Sequence, residues 1–214
     1  MLQLAIDTAF FSARVSLIKD GKLLETLSEQ GFGSAEVLNI LVRDVLLKHN
    51  FQLKDLDGLF VILGPGSFTG LRVGVAAAQA YSISLSIPLV GVSSLFALAN
   101  SLGENKNKST RVALQASKSD FFVSKFRYDD SGIAMPESEV SVESGDAPEH
   151  YFENGLAAQQ GLSDVAWDFV VNAAEFSKDK EVFSHIQSGL ELEIVYGKSV
   201  QAKTLEERGV KSFR

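Results

Sequence analysis

The sequence contains no cysteine, and it has only three histidines, one tryptophan and four prolines among its 214 residues. The absence of cysteine excludes disulfides, thiolate nucleophiles and cysteine-ligated zinc, and it suits a reducing compartment. No apolar run approaches the roughly 18 residues that a membrane-spanning helix needs. No basic segment precedes the first apolar residues, as it would in a secretory signal. These features predict a cytoplasmic protein that does not contact membranes.

Basic residues are outnumbered, with 20 Lys and Arg against 27 Asp and Glu and a formal net charge of −7. A chain of this charge has no overall positive field to gather phosphates, so we expect contact with nucleic acid only indirectly, through a partner. From Lys198 onward five basic residues stand against two glutamates. Direct binding of nucleic acid by this basic end is the weaker alternative.

Hydrophobic periodicity predicts an α/β fold with a mixed sheet, because a strand and a hairpin come first and helices then alternate with apolar strands. Asp20-Gly21 is a strong hairpin signal, and Ser34 is a plausible N-cap. The predicted elements are a strand over 2–7, a hairpin around Asp20-Gly21, a helix over 34–49, a strand over 56–63, a helix over 71–86, a strand over 87–94 and a helix towards Leu102.

A polar stretch, "GENKNKST" at 103–110, predicts a division of the chain into 1–102 and 103–214. The second part is less regular. It contains two predicted strand segments, "RVALQAS" and "DFFVSKFRYDD", then a loop-rich region and a helical pattern over 163–176.

A glycine-rich segment, "GPGSFTGLRVG" at 64–74, follows a buried strand and precedes a helix. It is not a Walker loop, because Gly70 is followed by Leu71 and Arg72 rather than by lysine and a hydroxyl residue. It is not a dinucleotide loop either, because its glycines are spaced by two and four residues. Two interpretations remain: a tight connection that brings the helix close to the sheet, or an anion site at the helix N-terminus.

The first two helices carry unusual surface residues. Ile40 and Leu47 lie on the otherwise polar side of the first helix, which indicates a second contact surface. The second helix has a stripe of mostly small side chains, which packs either on the chain's own sheet or on a partner helix. That stripe consists of Gly74, Ala77, Ala78, Tyr81 and Leu85.

Catalytic signatures are sparse. His49, His150 and His185 do not have metal-ligand spacing, and no Gly-x-Ser-x-Gly motif is present. Asp7 ends the first predicted strand and is the most interesting acid, since such a residue can hold a metal or a nucleophilic water. The following Thr8 and Ala9 do not make the glycine turn of a phosphate site, so we interpret Asp7 as a strand-end cap.

Several segments, in order and with matching spacing, resemble the TsaB (YeaZ) family. They are "LAIDTA" at 4–9, the Asp20-Gly21 hairpin, the helix at 34–49, "GPGSFTGLRVG" at 64–74 and "IPLVGVSSL" at 87–95. The resemblance covers roughly the first hundred residues and is weak after them.

The resemblance implies an actin-like fold of the acetate/sugar kinase and Hsp70 (ASKHA, ribonuclease H-like) type, with two α/β subdomains, 1–102 and 103–214. Family members are non-catalytic scaffolds that pair with the homologous TsaD subunit. With the ATPase TsaE, that complex transfers threonylcarbamoyl to the adenosine beside the tRNA anticodon. The resemblance thus implies TsaD-like and TsaE-like partners, a homodimer when the partner is absent, no metal, and nucleotide only at a boundary between subunits.

The resemblance also assigns roles to particular residues. Asp7 becomes a vestigial nucleotide-site acid, and the loop becomes structural. The loop residues are Gly64, Pro65, Gly66, Ser67, Phe68, Thr69 and Gly70. The partner interface, built from the first two helices, would comprise Val37, Ile40, Asp44, Leu47, Arg72, Gly74, Ala77, Ala78, Tyr81 and Leu85.

The chain also departs from the family pattern. Gly33-Ser34 replaces a histidine before the first helix, Gln115-Ala116-Ser117 replaces Asp-Ala-Arg, and only the residues around Tyr196 resemble the expected Pro-x-Tyr-x-Arg segment. These departures mark a divergent second subdomain. The alternative function is an active ATP-dependent phosphotransferase or ATPase of the same fold, using Asp7 and the glycine loop.

Overall fold

The computed structural model describes residues 1–10, 12–30, 35–102, 109–130, 132–146, 150–152, 186–189 and 191–195. The predicted helix over 163–176, the N-cap Ser34, Tyr196 and the basic end from Lys198 lie outside these residues.

The first half of the chain forms five strands and three helices among the described residues. The strands are β1 (Leu2–Phe10), β2 (Ser12–Lys19), β3 (Lys22–Gln30), β4 (Gly58–Gly64) and β5 (Leu89–Ser93). The helices are α1 (Ala35–Lys48), α2 (Phe68–Leu85) and α3 (Ser94–Leu102), with a short 3-10 turn at Leu53–Asp55.

The second half contributes six further strands to the part of the chain that the structure describes. They are β6 (Ser109–Gln115), β7 (Asp120–Tyr128), β8 (Ala134–Pro136), β9 (Ser141–Ser144), β10 (His150–Phe152) and β11 (Ile186–Ser188).

The first sheet has the strand order β11-β5-β4-β1-β2-β3. β1, β2 and β3 are antiparallel, whereas β1, β4 and β5 are parallel. Asp20 and Gly21 join β2 to β3 with positive φ angles of 51° and 75°, as a two-residue hairpin turn requires. The predicted mixed sheet and the α/β fold class are therefore confirmed.

The second sheet has the order β10-β6-β7-β8, and β9 also pairs with β7. α3 connects the two sheets: Tyr128 Oη donates to the Ala99 carbonyl at 2.8 Å, and the Ala134 amide donates to Asn100 Oδ1 at 3.0 Å. The division after residue 102 stays a prediction. β11 pairs with β5 in the first sheet, so the chain returns to that sheet from its second half.

Apolar side chains cover both faces of the first sheet. One face packs under α1 and α2 through residues such as Leu38, Val42 and Val75. The opposite face packs against α3 and the second sheet, around Phe96 and Tyr128. Because β1 is buried along its whole length, the sheet is a rigid base for the loop at the start of α2.

Candidate functional site

The glycine-rich segment spans the end of β4, a short loop and the first turns of α2. The loop itself is shorter than predicted. α2 begins at Phe68 rather than at Leu71, because the Ser67 side chain accepts a hydrogen bond from the Gly70 amide at 3.3 Å and caps the helix. Phe68, Thr69 and Gly70 therefore belong to the first helical turn and not to a loop. Gly64 has a φ of 100°, a conformation that favours glycine.

The loop and the first turns of α2 lie directly on the end of β1. The Ser67 amide donates to the Ala9 carbonyl at 2.6 Å, and Thr8 Oγ1 donates to the Gly70 carbonyl at 2.7 Å. A Cβ atom on Gly66 would lie 2.4 Å from the Ala9 oxygen, and one on Gly70 would lie 2.0 Å from the Thr8 oxygen. Backbone thus packs on backbone, which explains the glycines at these positions.

Asp7 lies in the interior of β1 and does not end it, since the strand continues to Phe10. The expected strand-end cap is therefore corrected to a cap within the strand. Asp7 is 1% exposed, and its Oδ1 accepts a hydrogen bond from the Ala9 amide at 2.9 Å. Asp7 pairs with the buried Arg14 of β2. Directly after this pair, between Asp7 and Phe10, the register of the β1–β2 pairing shifts. The carboxylate stabilises this irregular backbone.

The end of β4 is also covered, by a segment from the second half of the chain. The Val195 amide donates to the Leu63 carbonyl at 2.8 Å. A Cβ atom on Gly64 would lie 2.6 Å from the Val195 oxygen. The ends of β1 and β4, where a nucleotide site would be expected in this fold, are therefore packed against the chain's own backbone.

The outer face of α1 exposes large apolar side chains. Ile40 is 47% exposed and Leu47 is 62% exposed, as the sequence pattern predicted. Asp44 is bonded to Arg43 on the same helix at 2.8 Å. Val37 is half-buried and packs against the core under α1. Two exposed aliphatic side chains one heptad apart form an apolar strip on the helix surface.

The outer face of α2 differs from the predicted stripe. Gly74 and Ala78 are buried with Leu71 and Val75, because positions three, four and seven residues apart share one helical face. A Cβ atom on Gly74 would lie 2.2 Å from Thr8 Oγ1. The chain's own sheet thus contacts these two residues, and they are not available to a partner. Ala77, Tyr81 and Leu85 are half-buried, and Arg72 is exposed.

Sequence reasoning missed several residues on the outer face of α2. Ala76 and Ala80 follow Arg72 at intervals of four residues, on the side of the helix opposite the buried positions. This spacing would have identified both alanines. Ile83 is 63% exposed and Phe68 is 42% exposed. We call the surface formed by these α2 residues and by two residues of α1 the α1/α2 face. Its members are Ile40 and Leu47 on α1, and Phe68, Arg72, Ala76, Ala80 and Ile83 on α2.

A groove of about 710 Å³ lies on this face between the two helices. Tyr81 Oη donates a hydrogen bond to Asn39 Oδ1 at 2.6 Å and so connects α2 to α1 at the groove. Burial raises the pKa of the Tyr81 hydroxyl. The groove is lined by Asn39, Arg72, Val73, Ala76, Ala77, Ala80 and Tyr81.

The histidines and acids elsewhere make ordinary contacts. His49 Nε2 lies 2.9 Å from Glu25 Oε2, His185 lies outside the described residues, and so does the side chain of His150. Among the residues that the structure describes, no group of three or more His, Cys, Asp or Glu could hold a metal ion. No described helix is both long and apolar enough to cross a membrane.

Comparison with known proteins identifies relatives. A family model described as "TsaD: tRNA N6-adenosine threonylcarbamoyltransferase" matches residues 33–206. The TsaB protein of tRNA threonylcarbamoyladenosine biosynthesis from Escherichia coli is 33% identical over 141 residues, which cover 65% of this chain and 61% of the relative. Its counterpart from Buchnera aphidicola subsp. Schizaphis graminum is 37% identical over 116 residues, which cover 53% and 54%. The chain thus spans about half to two thirds of the length of these relatives.

Solved structures show the same fold. YeaZ from Pseudomonas aeruginosa aligns with a TM-score of 0.60 at 24% identity, over 72% of this chain and 75% of that one. A second structure, described as an uncharacterized protein with similarity to peptidase YeaZ from Pseudomonas aeruginosa, aligns with a TM-score of 0.68 at 21% identity, over 92% and 99%. At these identities the solved structures show the fold alone. The family model, which matches most of the sequence, and the curated TsaB relatives show that the chain belongs to the TsaB (YeaZ) family of TsaD-related proteins.

Proposed function

We propose that this chain is a non-catalytic subunit in tRNA threonylcarbamoyladenosine biosynthesis, and that it binds a TsaD-like protein through the α1/α2 face. The observation that carries the proposal is the pair of exposed aliphatic side chains on α1, Ile40 and Leu47. An alanine-lined groove between α1 and α2 adds to it. Exposed apolar surface of this kind is typical of a protein interface.

The packing of the glycine loop supports a non-catalytic role. Phosphate-binding loops leave space in front of their glycines for the ligand. In this chain Gly66 and Gly70 face the carbonyl oxygens of Ala9 and Thr8 instead. Anions are repelled by carbonyl oxygens, so this segment, from the loop into the first turn of α2, suits packing better than phosphate binding.

The names of the relatives support a role in tRNA threonylcarbamoyladenosine biosynthesis. Two of them are described as tRNA threonylcarbamoyladenosine biosynthesis proteins, and the matching family model is that of the threonylcarbamoyltransferase TsaD. The proposal includes a TsaE-like ATPase as a further partner, indirect contact with tRNA, a cytoplasmic location, and a homodimer when the TsaD-like partner is absent. It includes no resident cofactor, and it limits any nucleotide to a boundary between subunits.

The test is calorimetric titration of the purified chain with magnesium-ATP and, separately, with the TsaD-like subunit from the same source. We expect heat of binding with the protein and none with the nucleotide. A parallel assay would measure threonylcarbamoyladenosine in tRNA by mass spectrometry, with the TsaD-like and TsaE-like proteins present and this chain added or omitted. Formation of the modified nucleoside should depend on the chain.

The alternative is an ATP-dependent phosphotransferase or ATPase that uses Asp7 and the glycine loop. The matching family model describes an enzyme, although it is a threonylcarbamoyltransferase and not a kinase or ATPase. Binding and turnover of magnesium-ATP by the isolated chain, without affinity for the TsaD-like protein, would replace the proposed function with this one.

A further inference from the structure

Another cavity lies at the edge of the first sheet where the parallel strands β1, β4 and β5 begin. Its volume is about 500 Å³, within the range of ordinary small-molecule sites. The lining comes from the starts of these three strands and from the residues just before them. It includes Phe60 and Val90, which belong to the core on the face of the sheet opposite α1 and α2. The cavity is therefore distinct from the α1/α2 face.

Gly58 leaves space between two of the lining residues. It pairs with Gln3 in the neighbouring strand, and a Cβ atom on it would lie 3.9 Å from Gln3 Cγ and 3.7 Å from Pro88 Cγ. These are ordinary contact distances, Gly58 is not among the glycines with positive φ, and the pairing of β1 with β4 is regular here. Packing, backbone conformation and a bulge thus do not account for this glycine, and close approach by a ligand is the remaining reason.

The amide of Gln3 is poorly satisfied. Gln3 is 4% exposed and lines the cavity, and its Oε1 is buried without a hydrogen-bond partner among the described residues. Its Nε2 donates to the sulfur of Met1 at 3.1 Å, and a thioether is a weak acceptor. Folded proteins contain few buried polar groups of this kind, because each costs free energy. Gln3 therefore lacks the partners that a merely structural amide would have.

The sulfur of Met1 is the contact that a ligand would replace. Met1 is 61% exposed, and its unbranched side chain rotates easily. The last torsion of a glutamine side chain is broad, so the amide can turn both its oxygen and its nitrogen to the cavity when the sulfur moves aside. A ligand with adjacent C=O and N–H groups would then accept from Nε2 and donate to Oε1.

The charge of the cavity favours a neutral ligand. Of the described residues that line it, Asp57 has a carboxylate and none has a basic side chain. The Asp57 carboxylate accepts a hydrogen bond from the Leu2 amide at 2.6 Å, which holds it at the start of β1. A phosphate or carboxylate on the ligand would be repelled by this group.

We propose that the cavity binds a small, neutral, planar ring with adjacent N–H and C=O groups, the edge of a lactam or of a pyrimidine base. Gln3 recognises that edge through two hydrogen bonds, and the apolar side chains of Phe60, Pro88 and Val90 contact the ring. This site is separate from the proposed binding of a TsaD-like protein and does not depend on it.

The experiment measures thermal melting of the full-length chain by circular dichroism with three probes. Uracil has the proposed edge, toluene is a planar ring without it, and uridine 5′-monophosphate has the same base with a phosphate. Gln3→Leu removes the amide, and Gly58→Ala places a methyl group in the space between Gln3 and Pro88. The matched control is Gln30→Leu, since Gln30 is exposed at the end of β3 and does not line the cavity.

We expect uracil at about 10 mM to raise the melting temperature of the wild type and of Gln30→Leu by about 3 °C. The rise should be smaller in Gly58→Ala and absent in Gln3→Leu. Toluene and the nucleotide should produce less than a third of the uracil effect. Without a ligand, Gln3→Leu should melt at or above the temperature of the wild type, because it removes a poorly satisfied buried amide.

The location of the site is checked by the amide resonances of Gly58 and Val90, which should shift on addition of uracil. The absence of any rise with uracil, or an equal rise in Gln3→Leu, would overturn the inference. So would shifts confined to residues outside the cavity, or equal stabilisation by toluene, which would make the cavity a purely apolar one. Equal stabilisation by the nucleotide would overturn the restriction to neutral ligands.

Discussion

The hydroxyl of Thr8 in β1 donates a hydrogen bond of 2.7 Å to the carbonyl of Gly70 in the first turn of α2. The same two residues are so close that a Cβ atom on Gly70 would lie 2.0 Å from the Thr8 carbonyl oxygen. Gly70 is therefore a residue at which α2 packs directly on β1.

Gly70→Ala should destabilise the protein by about 2–3 kcal/mol, because the added methyl group forces α2 away from β1. The measurement is chemical denaturation followed by circular dichroism. Gly58→Ala is the matched control, since a Cβ atom there meets its neighbours at 3.7 Å or more and the change should cost less than about 1 kcal/mol. Equal effects of the two substitutions would show that the close approach at Gly70 is not a constraint.

Tyr81→Phe should lower the free energy of unfolding by about 1 kcal/mol, because it removes the 2.6 Å hydrogen bond to Asn39 that connects α1 and α2. A double-mutant cycle with Asn39→Ala measures the coupling directly. Additive effects of the two substitutions would mean that this bond does not stabilise the pair of helices.

Tyr81→Phe should also change how the stability depends on pH in alkaline solution. Burial raises the pKa of Tyr81 above its ordinary value of 10.0, so the neutral hydroxyl is favoured in the folded protein. Its contribution is complete below about pH 10 and is lost as the pH rises through the folded-state pKa. As the pH rises above about 10, the stability of the wild type should therefore fall more steeply than that of Tyr81→Phe. Parallel curves would contradict this.

Glu25→Gln tests an ion-pair cluster at the end of α1. Hydrogen bonds from Lys48 and then His49 hold the pKa of Glu25 below its ordinary value of 4.5. The ionised carboxylate therefore stabilises the fold above about pH 4.5, and this contribution is lost as the pH falls through the lowered pKa. The difference in melting temperature between wild type and variant should be present at pH 7 and absent in strong acid. A difference that does not change with pH would assign the effect to packing.

Ile40→Asp should leave the monomer folded, because this side chain is 47% exposed, and should weaken binding of the TsaD-like protein by more than about 30-fold. Titration calorimetry gives the affinity, and thermal melting verifies the fold. Leu53→Asp is the matched control, since Leu53 is 39% exposed on a short turn that is not part of the α1/α2 face. If both variants retain wild-type affinity, the interface lies elsewhere.

The sequence by itself determined the order of the elements in the first half and the exposure of Ile40 and Leu47. These features depend on local rules: the Asp20-Gly21 turn suits a hairpin, and apolar spacing distinguishes strands from helices. The same local rules allowed the two nucleotide-loop motifs to be rejected from spacing alone.

Only the tertiary structure decided which side of α2 faces the sheet. The residue pattern left Gly74 and Ala78 to either the sheet or a partner helix, because small side chains permit close approach by either neighbour, and the family resemblance assigned them to the partner interface. The position of β1, with Thr8 directly under Gly74, assigns them to the core. Likewise, the covering of Leu63 by Val195 joins residues through three-dimensional proximity, which no spacing rule encodes.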